Sequence, residues 1–240
     1  MTGVTRLSRE SANQVALPGG PEPALEHPVL ILNSVTLRSS ERMVLSCADG
    51  VFGAGELCAV IVRSDEERHL LARVLAGQHT VDCGDVLRAS MPAPLIGSNW
   101  GFNPADRVVS ELWLRAAAHG LDAKSYVSAV SSLLDDSAVL HGPYGKLSAM
   151  DRALIVYGSA YLVPSDIYVA EGRLLPEDPS IRARLEPLLE DIRHRAAVIF
   201  LASRMADCEE FLPERTAILS AGKLVFSSCP RGSFMQGWRN

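Results

Sequence analysis

Gly55-Glu-Leu-Cys-Ala-Val-Ile-Val-Arg-Ser-Asp-Glu-Glu-Arg-His-Leu-Leu-Ala-Arg-Val-Leu-Ala-Gly77 is the stretch on which the reading of this chain turns. Leu57 to Val62 is a short apolar run ending in β-branched residues, the texture of a strand buried on both faces. Arg63 to Glu67 is a polar turn. Leu70, Leu71, Val74 and Leu75 then form an apolar stripe suited to one helix face, and Gly77 is a stop signal. Strand, turn and helix in this order is the layout of a phosphate-binding loop.

The turn departs from that layout. A working loop reads GxxxxGK[ST], because bare glycine backbone lets N–H groups wrap the phosphates. The eight positions from Val62 to His69, Ser64 among them, have neither glycine; Arg68 stands at the lysine position and His69 at the Mg²⁺-binding hydroxyl position. Two arginines against Asp65, Glu66 and Glu67 leave the turn at −1. A like-charge pair at roughly 4 Å costs about 4 kcal/mol at an effective dielectric near 20. That outweighs the ~0.3–1 kcal/mol a helix N-terminus contributes to anion binding. Asp65-Glu66-Glu67 fits an ordinary helix start in water better than a phosphate cradle, although Arg68 retains a fork that could meet phosphate.

Bulk properties narrow the class. A chain of 240 residues can be one large α/β domain or two small ones, and at 48% hydrophobic and 21% charged its composition is that of an ordinary globular protein with a sizeable core. Its formal charge of −5, with no basic run, speaks against nucleic-acid binding. Five widely spaced cysteines without a CxxC pair fit a reducing compartment and argue against a zinc site or a disulfide framework. No apolar run approaches the roughly 18 residues of a membrane span, and the N-terminus has no signal-peptide h-region. A cytoplasmic protein is the expectation.

Residues 1–27 mix Gly, Pro, Ser and charge and read as a flexible leader. Val29–Leu37 and Met43–Ser46 are predicted strands, and Gly53-Ala-Gly55 is a turn into the decisive stretch. Asp82–Arg88 is a turn and short strand, and Ser90–Pro104 is a loop. Three helices follow, over Arg107–His119, Tyr126–Leu134 and Ser148–Leu162, set apart by His119-Gly120 and His141-Gly142-Pro143. They suggest an inserted helical subdomain at about residues 104–162. Alternation then resumes: a strand at Asp166–Ala170, a helix at Ile181–Arg195, a strand at Ala197–Ala202 and a short helix at Met205–Phe211. A hairpin, Thr216–Leu219 with Lys223–Phe226, closes the domain, and residues 227–240 are a tail without pattern.

In this order the chain resembles the nucleotide-binding subunit of an ABC transporter, most closely the branch that exports capsular polysaccharide. The likeness covers about residues 28–226. It rests on Gly55-Glu56 before the strand, Val74-Leu-Ala-Gly77 after the helix and Gly84-Asp85 opening the next strand. Trp100-Gly-Phe with a helix ending in His119-Gly-Leu, Glu210-Phe211, and Ala217-Ile-Leu-Ser-Ala-Gly-Lys-Leu-Val225 complete it. The resemblance implies a P-loop NTPase-like α/β fold: a mixed core sheet, an antiparallel β subdomain and the helical insertion, spanning residues 28–226.

The same resemblance locates the remaining chemistry. The LSGGQ-like signature falls on Leu147-Ser148-Ala149-Met150-Asp151, where Ser148 is retained and could face a partner's nucleotide, or could simply cap a helix. The Mg²⁺-coordinating strand ends in Ala170-Glu171 instead of Asp-Glu. Glu171 is either a relic general base or a strand-end carboxylate. The switch histidine falls on Ser203 or, with a one-residue shift, Arg204, and Arg38 to Arg42 holds no aromatic to stack on adenine.

With the metal carboxylate missing, most of the electrostatic catalysis of phosphoryl transfer is lost. The resemblance therefore implies at most weak ATP binding at Ser64, Arg68 and His69, and leaves Mg²⁺ without its ligands. The leading expectation is a pseudo-ATPase on the inner face of the cell membrane. It would dock on the permease of a polysaccharide exporter or pair with another ABC subunit as a homo- or heterodimer. The alternatives are an active ATPase using Arg68 and Glu171 with altered metal handling, and a stand-alone regulatory module.

Overall fold

A computed structural model describes residues 27–39, 42–89, 93–97 and 102–228. The leader to residue 26, Trp100-Gly101 and the tail from residue 229 lie outside the described residues.

Two antiparallel strands open the chain, β1 (Pro28–Arg38) and β2 (Met43–Gly53), in register from Leu37↔Leu45 to Leu30↔Phe52. The second strand runs seven residues past the predicted Ser46. Alternation fails there because Cys47 has a φ of 46° and Ser34, on β1, one of 48°, with register shifts on either side of the Val35↔Ala48 pair. Such a bulge turns later side chains to the other face and hides the strand from a period-2 reading.

The decisive stretch folds as read. β3 (Leu57–Ile61) is buried at every residue, and α1 (Asp65–Leu75) buries Leu71, Ala72, Val74 and Leu75. Gly77, with φ 77°, closes α1: the amides of Gly77 and Gln78 donate to the carbonyls of Val74 and Arg73, a Schellman ending. β4 (Cys83–Arg88) then pairs with the free side of β1, giving a three-stranded sheet in the order β2-β1-β4. Its last residue, Arg88, is buried and donates to the carbonyls of Val74, Leu75 and Val86. Burial lowers the Arg88 pKa to about 10.

Leu95–Ile96 forms β5, a two-residue strand within the predicted Ser90–Pro104 loop. Between Pro94 and Gly97 it is too short to show any periodicity. Three helices follow: α2 (Val108–Ala118), α3 (Ala123–Ser131) and α4 (Ala149–Tyr161). α3 begins three residues before the predicted Tyr126, because Asp122 accepts from the Ser125 amide at 2.8 Å and caps it there. Val108, Leu112 and Ala116 of α2, Tyr126 and Val130 of α3, and Ile155 and Val156 of α4 pack into one cluster.

The chain then returns through β6 (Ile167–Glu171), α5 (Pro179–Arg195), β7 (Ala197–Ala202), β8 (Arg215–Ser220) and β9 (Lys223–Ser228). The second sheet has the order β5-β6-β7-β3-β8-β9, parallel except for the terminal β8–β9 pair. The mixed sheet and the antiparallel sheet agree with the expected architecture. Met205–Phe211 is two 3₁₀ turns, Met205–Asp207 and Glu209–Phe211, rather than a helix.

Alternating residues of the central strand face opposite layers. Cys58 and Val60 pack toward β1, β2 and α1, while Leu57, Ala59 and Ile61 pack toward α4 and α5. Burial on both faces explains why β3 reads as a continuous apolar run.

Candidate functional site

Parallel pairing brings three strand ends together at one edge of the sheet. Ile61 pairs with Ala202, and Glu171 with Leu201. The turn after β3, the end of β6 and the residues after β7 are thus neighbours. The Val62 amide donates to Ala202 (2.8 Å) and the Gly172 amide to Leu201 (3.0 Å). In open α/β sheets, ligands bind in the crevice outside such carboxyl ends. Six of the seven sequence-predicted site residues gather here: Ser64, Arg68, His69, Glu171, Ser203 and Arg204.

Each is engaged with the chain itself. Ser64 is the N-cap of α1, its hydroxyl accepting from the Glu67 amide at 3.4 Å. Arg68 turns back over the turn, donating to the Val62 carbonyl at 3.3 Å and to Asp65 at 2.7 Å. His69 Nδ1 lies 3.0 Å from Glu171 Oε2. Ser203 donates to Asp207 at 3.0 Å, and the amide and guanidinium of Arg204 donate to the same carboxylate at 3.2 and 2.9 Å. The Arg204 hydrogen bond, reinforced by Ser203, holds Asp207 below the usual carboxylate range against a desolvation effect in the other direction.

Ser148 sits apart, at the start of α4. Its hydroxyl accepts from the Asp151 amide at 3.0 Å and donates to the Asp151 carboxylate at 2.6 Å, which makes it an N-cap. Ala170, at the position of the missing metal carboxylate, is fully buried inside β6.

The turn between β3 and α1 is acidic, and Arg68 is engaged within the chain. Three carboxylates crowd the first turn of α1, and Arg68 is bonded across the loop that should wrap the phosphates. Among the described residues no group of three or more His, Cys, Asp or Glu side chains could hold a metal ion. Sequence reasoning missed two residues that organise the site. Asp207 anchors both switch positions, a link its spacing of three and four residues from them could have suggested. Asp65 holds Arg68 at the i, i+3 spacing of a helix.

No family model matches the chain. It is 18% identical over 180 residues to the ABC transporter protein AbcA of Aeromonas salmonicida, covering 74% of this chain and 58% of that protein. To the aliphatic sulfonates import ATP-binding protein SsuB of Escherichia coli it is 30% identical over 137 residues, covering 52% of this chain and 54% of that one. The matches thus span little more than half the length of these curated relatives. Among solved structures, an ATP-binding subunit of an ABC transporter superposes with a TM-score of 0.69 at 16% identity, over 83% of this chain and 90% of that one. A nucleotide-free ATP-binding cassette gives 0.64 at 13% identity, over 85% and 92%. A dimeric bacterial ABC transporter cassette also gives 0.64, at 12% identity, over 83% and 98%. With its mixed core sheet and antiparallel outer sheet, the chain has the fold of the ATP-binding cassettes of ABC transporters.

Proposed function

We propose that this chain is an ABC-cassette subunit that has given up ATP hydrolysis and acts by docking, on the permease of a polysaccharide exporter or on a competent ATPase subunit. The observation that carries the reading is the 3.0 Å contact between His69 and Glu171. It joins the metal-hydroxyl position to the general-base position, so the carboxylate that would orient an attacking water is bonded to a side chain instead. Arg68, bonded to Val62 and Asp65, adds to the same reading.

Docking is supported by the outer face of α2, where Trp113 and Leu114 are 50% and 67% exposed. Leu114 also lines a cavity of about 340 Å³ between α2 and β5, together with Leu95, Arg115 and His119. Large apolar side chains exposed together mark interaction surfaces more often than chance. The capsule branch rests on the sequence resemblance at Trp100-Gly-Phe and at His119-Gly-Leu. Among the described residues no helix is long and apolar enough to cross a membrane, so membrane association would come through the permease.

The test is phosphate release from Mg·ATP by the purified chain, alone and mixed with a competent cassette. The expected result is release at the buffer rate alone and an altered rate in the mixture. Turnover by the chain alone that Glu171→Gln abolishes would replace this reading with an active ATPase.

A further inference from the structure

Consecutive side chains of α1 fasten it in two directions. Arg68 reaches back to Val62 and Asp65 within the same turn, whereas His69 reaches across to Glu171, 102 residues away in sequence. An exposed ion pair of this kind contributes little to stability. The His69 contact differs because neither partner is fully exposed: the Glu171 side chain is 18% exposed and that of His69 41%, against 89% for Asp65. A mostly buried carboxylate at a strand end is costly unless it is hydrogen-bonded, and the imidazole supplies that bond. In the sheet, β6 is separated from β3 by β7. The side-chain contact therefore bridges from the helix following β3 to the far side of β7.

We infer that His69 and Glu171 form a ligand-independent clasp. It fastens the first turns of α1 to the carboxyl end of β6 and closes this end of the sheet with the chain's own residues. The inference builds on the non-hydrolytic reading, in which Glu171 is committed to His69. Its readout is backbone opening rather than turnover, so either can fail without the other.

Hydrogen exchange on the full, ligand-free chain tests it, comparing wild type with His69→Ala, Glu171→Leu and the double variant. His69 is half-exposed, so its truncation leaves the core in place, and Glu171→Leu keeps the strand end covered. Amides in residues 65–72 and 170–173 should exchange about tenfold faster in each single variant, and the double variant should be no faster than the faster single one. The β8–β9 hairpin should be unchanged. Unchanged exchange in residues 65–72 and 170–173, additive effects of the two substitutions, or equal acceleration in β8–β9 would each overturn the clasp.

Discussion

Arg215 Nε lies 2.7 Å from Glu56 Oε1, with the two side chains only 7% and 9% exposed. The guanidinium also donates to the Val51 carbonyl and stands 4.4 Å over the Phe226 ring, and Glu56 accepts from the Gly53 amide at 2.9 Å. Burial raises the Glu56 pKa, and Arg215 opposes that rise. One ion pair thus ties β8 to the end of β2 and the entry of β3, holding the two sheets together.

Breaking that pair from one side leaves a buried charge without its counterion. Arg215→Met should destabilise the chain by about 3–5 kcal/mol, read as a fall in the urea midpoint. Adding Glu56→Leu should recover most of the loss, because the remaining charge is then removed as well. A double variant no more stable than Arg215→Met would show that the guanidinium acts through packing on Phe226 instead.

Ser148 offers a separable prediction, because a cap and a nucleotide contact tolerate different replacements. Ser148→Ala should cost about 1 kcal/mol in chemical denaturation, and Ser148→Asn almost nothing, since asparagine is an equally good N-cap and its amide can still donate to Asp151. Equal losses from both changes would contradict the capping role.

His119 should give a defined pH signature. Burial, and next the positive charge of Arg115, hold its pKa below the ordinary 6.5. The unfolded chain then takes up the proton more readily than the folded one. The contribution of neutral His119 is complete above about pH 6.5 and is lost as pH falls through the lowered folded value. Urea midpoints of wild type and His119→Asn should diverge between about pH 7.5 and pH 5.5, with the wild type falling more steeply. Parallel curves would contradict the shift.

Two glycines with positive φ should respond differently to alanine. At Gly84 (φ 83°) a methyl would stand 2.4 Å from the Ser34 carbonyl oxygen, so β4 could no longer lie against β1 as it does. At Gly172 (φ 94°) a methyl would meet nothing within 4 Å. Gly172→Ala should cost about 1 kcal/mol from backbone strain alone, and Gly84→Ala clearly more, measured by thermal unfolding.

The sequence made the central frame legible where the physics is local. β3, α1 and β7 declared themselves through continuous apolar runs and a helical stripe, and Gly77 marked its stop through the one backbone conformation glycine favours. The rest of β2 stayed hidden because the bulge at Cys47 resets the alternation, and β5 because two residues carry no period. Six of the seven named residues fall at one end of the sheet, but how they are wired to one another was not legible. Residues at motif spacings could be named, but the contact of His69 with Glu171 depends on how β3, β7 and β6 stack side by side. No local pattern encodes that. The direction of Arg68 was equally hidden: a guanidinium reads the same whether it faces a phosphate or folds back on Asp65.

The brevity of β5 has a consequence for how this molecule behaves in a crowd. A sheet edge offers unpaired amides and carbonyls to any passing strand. Here only Leu95 and Ile96 are in strand, and Gly97, with φ 77°, turns the chain away after them. The Pro94 carbonyl faces inward, accepting from the Val169 amide of β6 at 3.1 Å, which leaves Leu95 as the strand residue whose backbone faces outward. What remains is too short a template for a neighbouring copy to extend, so this border of the sheet is guarded against edge-to-edge aggregation at high concentration.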